Sequence, residues 1–333
     1  MTNTTKLKFG SSKGHLAEYL LGAAITAKFV KGPELINKED VTNILSITSL
    51  SDDLVSVFVD NNGNNIEFIN IINNVKNIAD AKEWQHTCNA MSTEMQAIIA
   101  FVNTDNSILQ YSNLFFNNNS KNYIKIKAIG EESQKSTKAD ILLTHVGPCN
   151  TEKVLKGWSL KNNSNRIGQA SPRTFENMQD FVSFLGIKLT PIDGYNDNPK
   201  SNIKNILKQA AYALESQDKS VLMHNLIRFI TEHATKQDSR IDIINIKNCR
   251  HSVQSIRKLA AMLTSVDIEV IYDQIGKPRI RIQQRNNPSN ILCQIRYTHS
   301  PQRLGSDGKL RAERHRLVVE TGSLFKQLGS ISA

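Results

Sequence analysis

Three short apolar runs follow one another closely in this chain: YIKIKAI at 123 to 129, ADILLTHV at 139 to 146 and VLKGWSLKN at 154 to 162. Each has the length of a strand, and the segments between them are turns, so the spacing predicts an antiparallel meander. Helices are expected around it. GHLAEYLLGAAITAKF at 14 to 29 carries apolar side chains at 16, 19, 20, 23, 24 and 25, close to helical spacing, before Gly32 and Pro33 break the pattern. Further helices are expected at about 79 to 103 and at 174 to 186, 202 to 215 and 219 to 235. The fold class that follows is α/β of the α+β kind, a mixed central sheet flanked by helices.

Between 34 and 120 the sequence is Asn-rich, and DNNGNN at 60 to 65 reads as a hairpin turn between SVFVD and IEFINII. This region reads as an accessory insertion. Toward the C-terminus a helix is expected at about 251 to 265 and strands near 267 to 273, 278 to 284 and 290 to 299, with IGKP at 275 to 278 as a turn. The expected organisation has four parts: 1–32, an N-terminal helix; 33–120, the insertion; 121–235, the core; and 236–333, a basic α/β region.

Charge narrows the function. The chain carries +10 over 333 residues, yet residues 240 to 333 hold 16 Lys+Arg against 7 Asp+Glu, leaving about +1 for everything before them. A local basic excess suits a polyanion, and nucleic acid is the expected partner. No membrane is expected: Glu18 interrupts the apolar N-terminal run, which fits neither a signal peptide nor a span. Nothing directs the chain out of the cytoplasm, of a bacterial cell or a phage-infected host. The four cysteines (Cys88, Cys149, Cys249, Cys293) lie far apart and read as reduced thiols. The eight histidines show no HExxH or HxH spacing, which gives zinc chemistry no support. Gly130, Gly147 and Gly168 make no phosphate-cradling loop.

The chemistry is expected in the meander. Asp140 opens the second run, and Ser159 and Lys161 close the third, on one face of their strand because alternate residues face the same way. An acid that can hold a hard divalent cation and an ammonium that can serve an attacking water or a developing negative charge are what phosphodiester hydrolysis requires.

In these residues the chain resembles the PD-(D/E)XK nuclease superfamily, whose core runs helix, three antiparallel strands, helix, strand. The resemblance rests on Asp140 followed by Ser159-Leu160-Lys161, with GEESQKSTKADILL before the aspartate and NSNRIGQASP after the lysine strand, and covers roughly 13 to 30 and 121 to 185. It implies a restriction-endonuclease-like core with an inserted accessory region, and a Mg²⁺-dependent DNA endonuclease of restriction or phage type, with Mn²⁺ as a substitute. Asp140 would be the metal-binding aspartate, Lys161 the catalytic lysine and the Leu160 backbone carbonyl a further metal ligand. Two positions depart from the pattern. Ala139 stands where the name-giving proline would be, and Ser159 replaces the second acid. Another carboxylate therefore has to complete the site, Glu18 first, with Glu131 and Glu132 as alternatives; Gln169 would position the water or contact the DNA backbone. The alternative readings are a DNA-binding protein on a nuclease-like scaffold that has lost activity, and a junction-resolving or repair nuclease.

The basic C-terminal region supplies the expected contacts to double-stranded DNA. Arg303, Lys309, Arg311, Arg314 and Arg316 crowd around a Ser-Asp-Gly turn, with Arg296 just before it and His299 and His315 beside them. Aromatic residues are scarce here, which favours duplex DNA over a base-stacking surface. The oligomeric state stays open, a homodimer included.

Overall fold

The structure, a computed structural model, describes residues 9–46, 54–58, 81–117, 123–128, 139–162, 166–235, 240–247, 250–255, 265–274, 277–304, 310–324 and 330–331. In chain order its helices are α1 (Phe9–Lys31), α2 (Lys38–Ser46), α3 (Ala81–Thr104), α4 (Asn106–Asn117), α5 (Phe175–Ser183), α6 (Pro199–Glu215) and α7 (Lys219–Thr235). Its strands are β1 (Leu54–Phe58), β2 (Tyr123–Ala128), β3 (Ile141–Val146), β4 (Glu152–Asn162), β5 (Arg166–Ala170), β6 (Ile241–Lys247), β7 (Arg250–Ser255), β8 (Ile268–Asp273), β9 (Arg279–Gln284), β10 (Asn287–Ser300), β11 (Arg303–Leu304), β12 (Leu310–Arg311), β13 (Arg314–Thr321) and β14 (Ser330–Ile331). The class is mixed α and β, as expected, with parallel and antiparallel strands. Among the described residues no helix is long and apolar enough to cross a membrane.

The chain forms two compact units, the first from residues 1–164, 240–253 and 331–333, the second from 165–239 and 254–330. In the first, a seven-stranded sheet runs β1-β2-β3-β4-β6-β7-β14. The predicted meander is its centre: β2 pairs antiparallel with β3, and β3 with β4, while β1 and β6 add parallel strands outside β2 and β4. Helix α1 is apolar nearly all round, and Leu16, Leu20, Leu21, Ile25 and Phe29 are all buried in it, the mark of a core helix rather than a surface one. It packs on β1 to β4 and also on α3 and α4. The helix stops where Gly32 takes a φ of 65° and its N–H closes on the Lys28 carbonyl at 2.8 Å.

Two expectations are revised here. The stretch expected as an accessory insertion is not a separate layer: Ile98, Phe101 and Val102 of α3 and Ile108 of α4 sit in the same core as α1, Ile126, Leu143 and Trp158. Its amphipathic helices give α1 a second wall. The Asn-rich turn at 60–65 lies outside the described residues. The expected helix at 251 to 265 begins as a strand instead, since β7 extends the sheet beyond β6; residues 256–264 lie outside the described part. A row of open backbone groups on β6 outweighed a local apolar spacing that suits a helix.

The second unit centres on a five-stranded antiparallel sheet, β5-β13-β10-β9-β8. Helix α6 packs on β8 and β9, while α5 and α7 pack on β5. Strand alternation sorts its side chains: Ile280, Ile282, Ile295, Leu317 and Val319 are buried, while Arg279, Arg281, Arg296, Arg314 and Arg316 hold the intervening positions. At the end of β13 Gly322 passes against β10, its N–H bonded to the Leu292 carbonyl at 2.9 Å. A Cβ there would lie 2.0 Å from the Ile291 carbonyl oxygen, so only glycine fits.

Candidate functional site

Asp140 stands at the entrance to β3, its N–H bonded to the Trp158 carbonyl at 2.8 Å. This closure sets the aspartate opposite the far part of β4. There the Leu160 backbone N–H donates to Asp140 Oδ2 at 2.5 Å and the Ser159 hydroxyl donates to the same oxygen at 3.2 Å. The structure thus brings Asp140, Ser159 and Leu160 together. Ser159 is 1% exposed, so its hydroxyl is committed inside the sheet. Leu160 meets the aspartate with its amide N–H, a donor, whereas the sequence pointed to its carbonyl as a metal ligand. Lys161 follows on β4 in register with Asn245 of β6; its side chain lies outside the described part. Glu18 is partly exposed on α1, in the same unit. Glu131 and Glu132 fall outside the described residues.

A carboxylate is a hard oxygen donor of the kind Mg²⁺ takes, one or two of them beside substrate phosphate. Asp140 offers one carboxylate, fixed in orientation by two hydrogen bonds. Its neighbours in those bonds are donors and supply no charge.

The basic residues gather on the second unit. Arg166, Lys277, Arg296, Arg303, Arg314 and Arg316 line a groove of about 280 Å³. A second hollow, lined by Gln169, Arg173, Arg314 and Arg316 among others, has about 390 Å³. Of the residues expected to touch DNA, the structure brings Arg296, Arg303, Arg314 and Arg316 to one groove. Arg311 pairs with Arg303 across the β11–β12 hairpin, and its side chain is outside the described part, as is the whole of Lys309. Arg166 and Lys277 were missed. Arg166 is 154 residues from its partner Glu320, and no local signal connects them. Gln169, grouped with Asp140 by sequence, belongs to this sheet, where its Oε1 accepts from Arg316 Nη1 at 2.8 Å.

These cations are not equivalent. Arg296 grips Glu320 through both carboxylate oxygens, at 2.6 and 2.7 Å, while Gln294 donates to the same group at 2.9 Å. Burial works against the charge on Glu320, but the hydrogen bonds and charge of Arg296, with help from Gln294 and Arg166, hold its carboxyl below its ordinary value. Arg296 is therefore a structural partner first. Arg303 and Arg314 are exposed, and Arg316 is partly exposed.

Fold and grooves define a two-unit α/β protein with a partly buried aspartate hydrogen-bonded to a buried serine in the sheet of one unit and a strongly basic face on the sheet of the other. Comparison with known proteins finds no family model, no curated protein and no solved structure that matches the chain.

Proposed function

We propose that the protein is a magnesium-dependent DNA endonuclease, of restriction or phage-encoded type. One observation carries the reading: Asp140, at the head of β3, has its carboxylate fastened to Ser159 and Leu160 immediately before Lys161. The order of helix α1, meander β2–β3–β4 and the later parallel strand β6 supports it. Asp140 and Glu18 would hold the ion. Bound there, magnesium would neutralise the phosphate and acidify a water for attack. The Leu160 N–H and the Ser159 hydroxyl keep Asp140 in one orientation, which lowers the cost of arranging the site when DNA arrives. Lys161 supplies the ammonium that orients the attacking water or stabilises charge on the phosphate. The arginines of the second unit hold the duplex by its phosphates, contacts that carry affinity without sequence information.

A second reading is favoured by one feature: the position of the second acid is a buried serine that donates to Asp140. On that reading the chain binds DNA and does not cut it. Purified protein incubated with plasmid and linear DNA, with and without Mg²⁺, separates the two. Parent cleavage that needs Mg²⁺ and falls by roughly 10²-fold or more in Lys161→Ala and Asp140→Asn, with DNA binding retained, is the expected result. Equal cleavage by Lys161→Ala and the parent would sink the nuclease assignment, and binding without cleavage by the parent would leave the second reading.

A further inference from the structure

His299 on β10 and His315 on β13 are direct partners across the antiparallel ladder, and Glu313 lies two residues before His315. Their rings stack, 4.8 Å between centroids and 9° from parallel. His315 Nε2 is 3.3 Å from Glu313 Oε1, and His299 Nε2 contacts the same oxygen. The three ligand atoms, one from each residue, all lie within 4.8 Å of one another. Behind them, the Tyr297 hydroxyl meets His315 Nδ1 at 2.5 Å.

We propose that His299, His315 and Glu313 form a binding site for a transition-metal ion of the zinc class. Two imidazoles and a carboxylate are a borderline-soft donor set, better matched to Zn²⁺ or Co²⁺ than to Mg²⁺. Tyr297 stands where metal-bound histidines have an outer hydrogen-bond partner: when Nδ1–H of His315 donates to the phenol oxygen, Nε2 keeps its lone pair for the ion. Three protein ligands leave a fourth position, and His299 also lines the groove of Arg296, Arg303 and Arg314. Water or an anion entering that groove can take it. The cluster escaped the spacing rules because His299 comes from β10 while His315 and Glu313 come from the start of β13 and the residue before it, on the other side of the β11–β12 pair. It is independent of Asp140 and of the cleavage reading.

The test uses the whole chain without DNA, stripped with a chelator, titrated with Co²⁺ at neutral pH and followed by visible absorption. One equivalent should bind, be displaced by Zn²⁺ and resist Mg²⁺. Tyr297→Phe, which removes no ligand, should weaken binding by about tenfold, and His315→Ala and Glu313→Gln by at least as much. Glu313 is exposed, so Glu313→Gln decides if His315→Ala fails to fold, as judged by circular dichroism. A parent that takes up no stoichiometric Co²⁺, or ligand variants with the parent's affinity, overturn the site.

Discussion

Arg296 and Arg316 sit on the same face of adjacent strands, two ladder positions apart, yet substitution should separate them cleanly. Arg316 offers its guanidinium to Gln169 and to the groove, so Arg316→Gln should lower the slope of log affinity against log salt by about 0.9 for duplex DNA with little effect on stability. Arg296→Gln should act on the fold, because it takes the main cationic partner from a carboxylate that is 9% exposed and leaves it to Gln294 and Arg166; a loss on the order of 2 kcal/mol in urea unfolding is expected. The same pair sets a pH dependence. A carboxyl held below its ordinary value of 4.5 contributes stability that is complete above that value and lost as pH falls through the lowered folded one. An acid titration of thermal stability should therefore show a loss below pH 4.5 that Glu320→Gln makes smaller. At this scale sequence density sufficed for Arg303, Arg314 and Arg316. It could not rank them against Arg296, since what distinguishes that residue is Glu320 on the neighbouring strand, 24 positions away.

Between α3 and α4 the chain turns on Asp105, whose Oδ1 accepts the Ile108 N–H at 2.9 Å and caps α4. Burial, and then the charge of Asp242, push its carboxyl up. The sign follows: the fold disfavours ionised Asp105, so stability declines as pH rises from 3.8 through the raised folded value and stays lower above it. Asp105→Asn keeps an acceptor for the cap and removes the charge. It should raise the melting temperature at neutral pH, with the gain vanishing in acid where the aspartate is already protonated. Gly322→Ala should do the opposite, costing about 3 kcal/mol or more, because its methyl meets backbone that cannot yield. Elements with a strong period of their own, such as α1, α3 and the meander, were legible in the sequence. β6 and β7 were not, because their state depends on β4, the strand to which β6 adds.

At the scale of the whole molecule, composition suggested cuts near 32, 120 and 235, whereas the compact units change at 164, 239 and 253. Composition reports neighbours in sequence; units are made of neighbours in space. Helices α3 and α4 of the Asn-rich region thus line the core, and the basic region divided between the units. A fragment of residues 1–164 should fail to unfold cooperatively in urea, since it keeps β4 but lacks β6, the strand hydrogen-bonded along its outer side. Cooperative unfolding by that fragment would show the first unit to be complete without its later strands. The adjacency of β4 and β6 also has a consequence for the nascent chain. Everything from 165 to 239, including helices α5, α6 and α7 of the other unit, leaves the ribosome after β4 and before β6. At roughly 5–20 residues per second that is a wait of several seconds, during which one side of β4 carries open amides and carbonyls beside a finished apolar wall. A chaperone that covers exposed strand edges should be needed in that interval and dispensable after it.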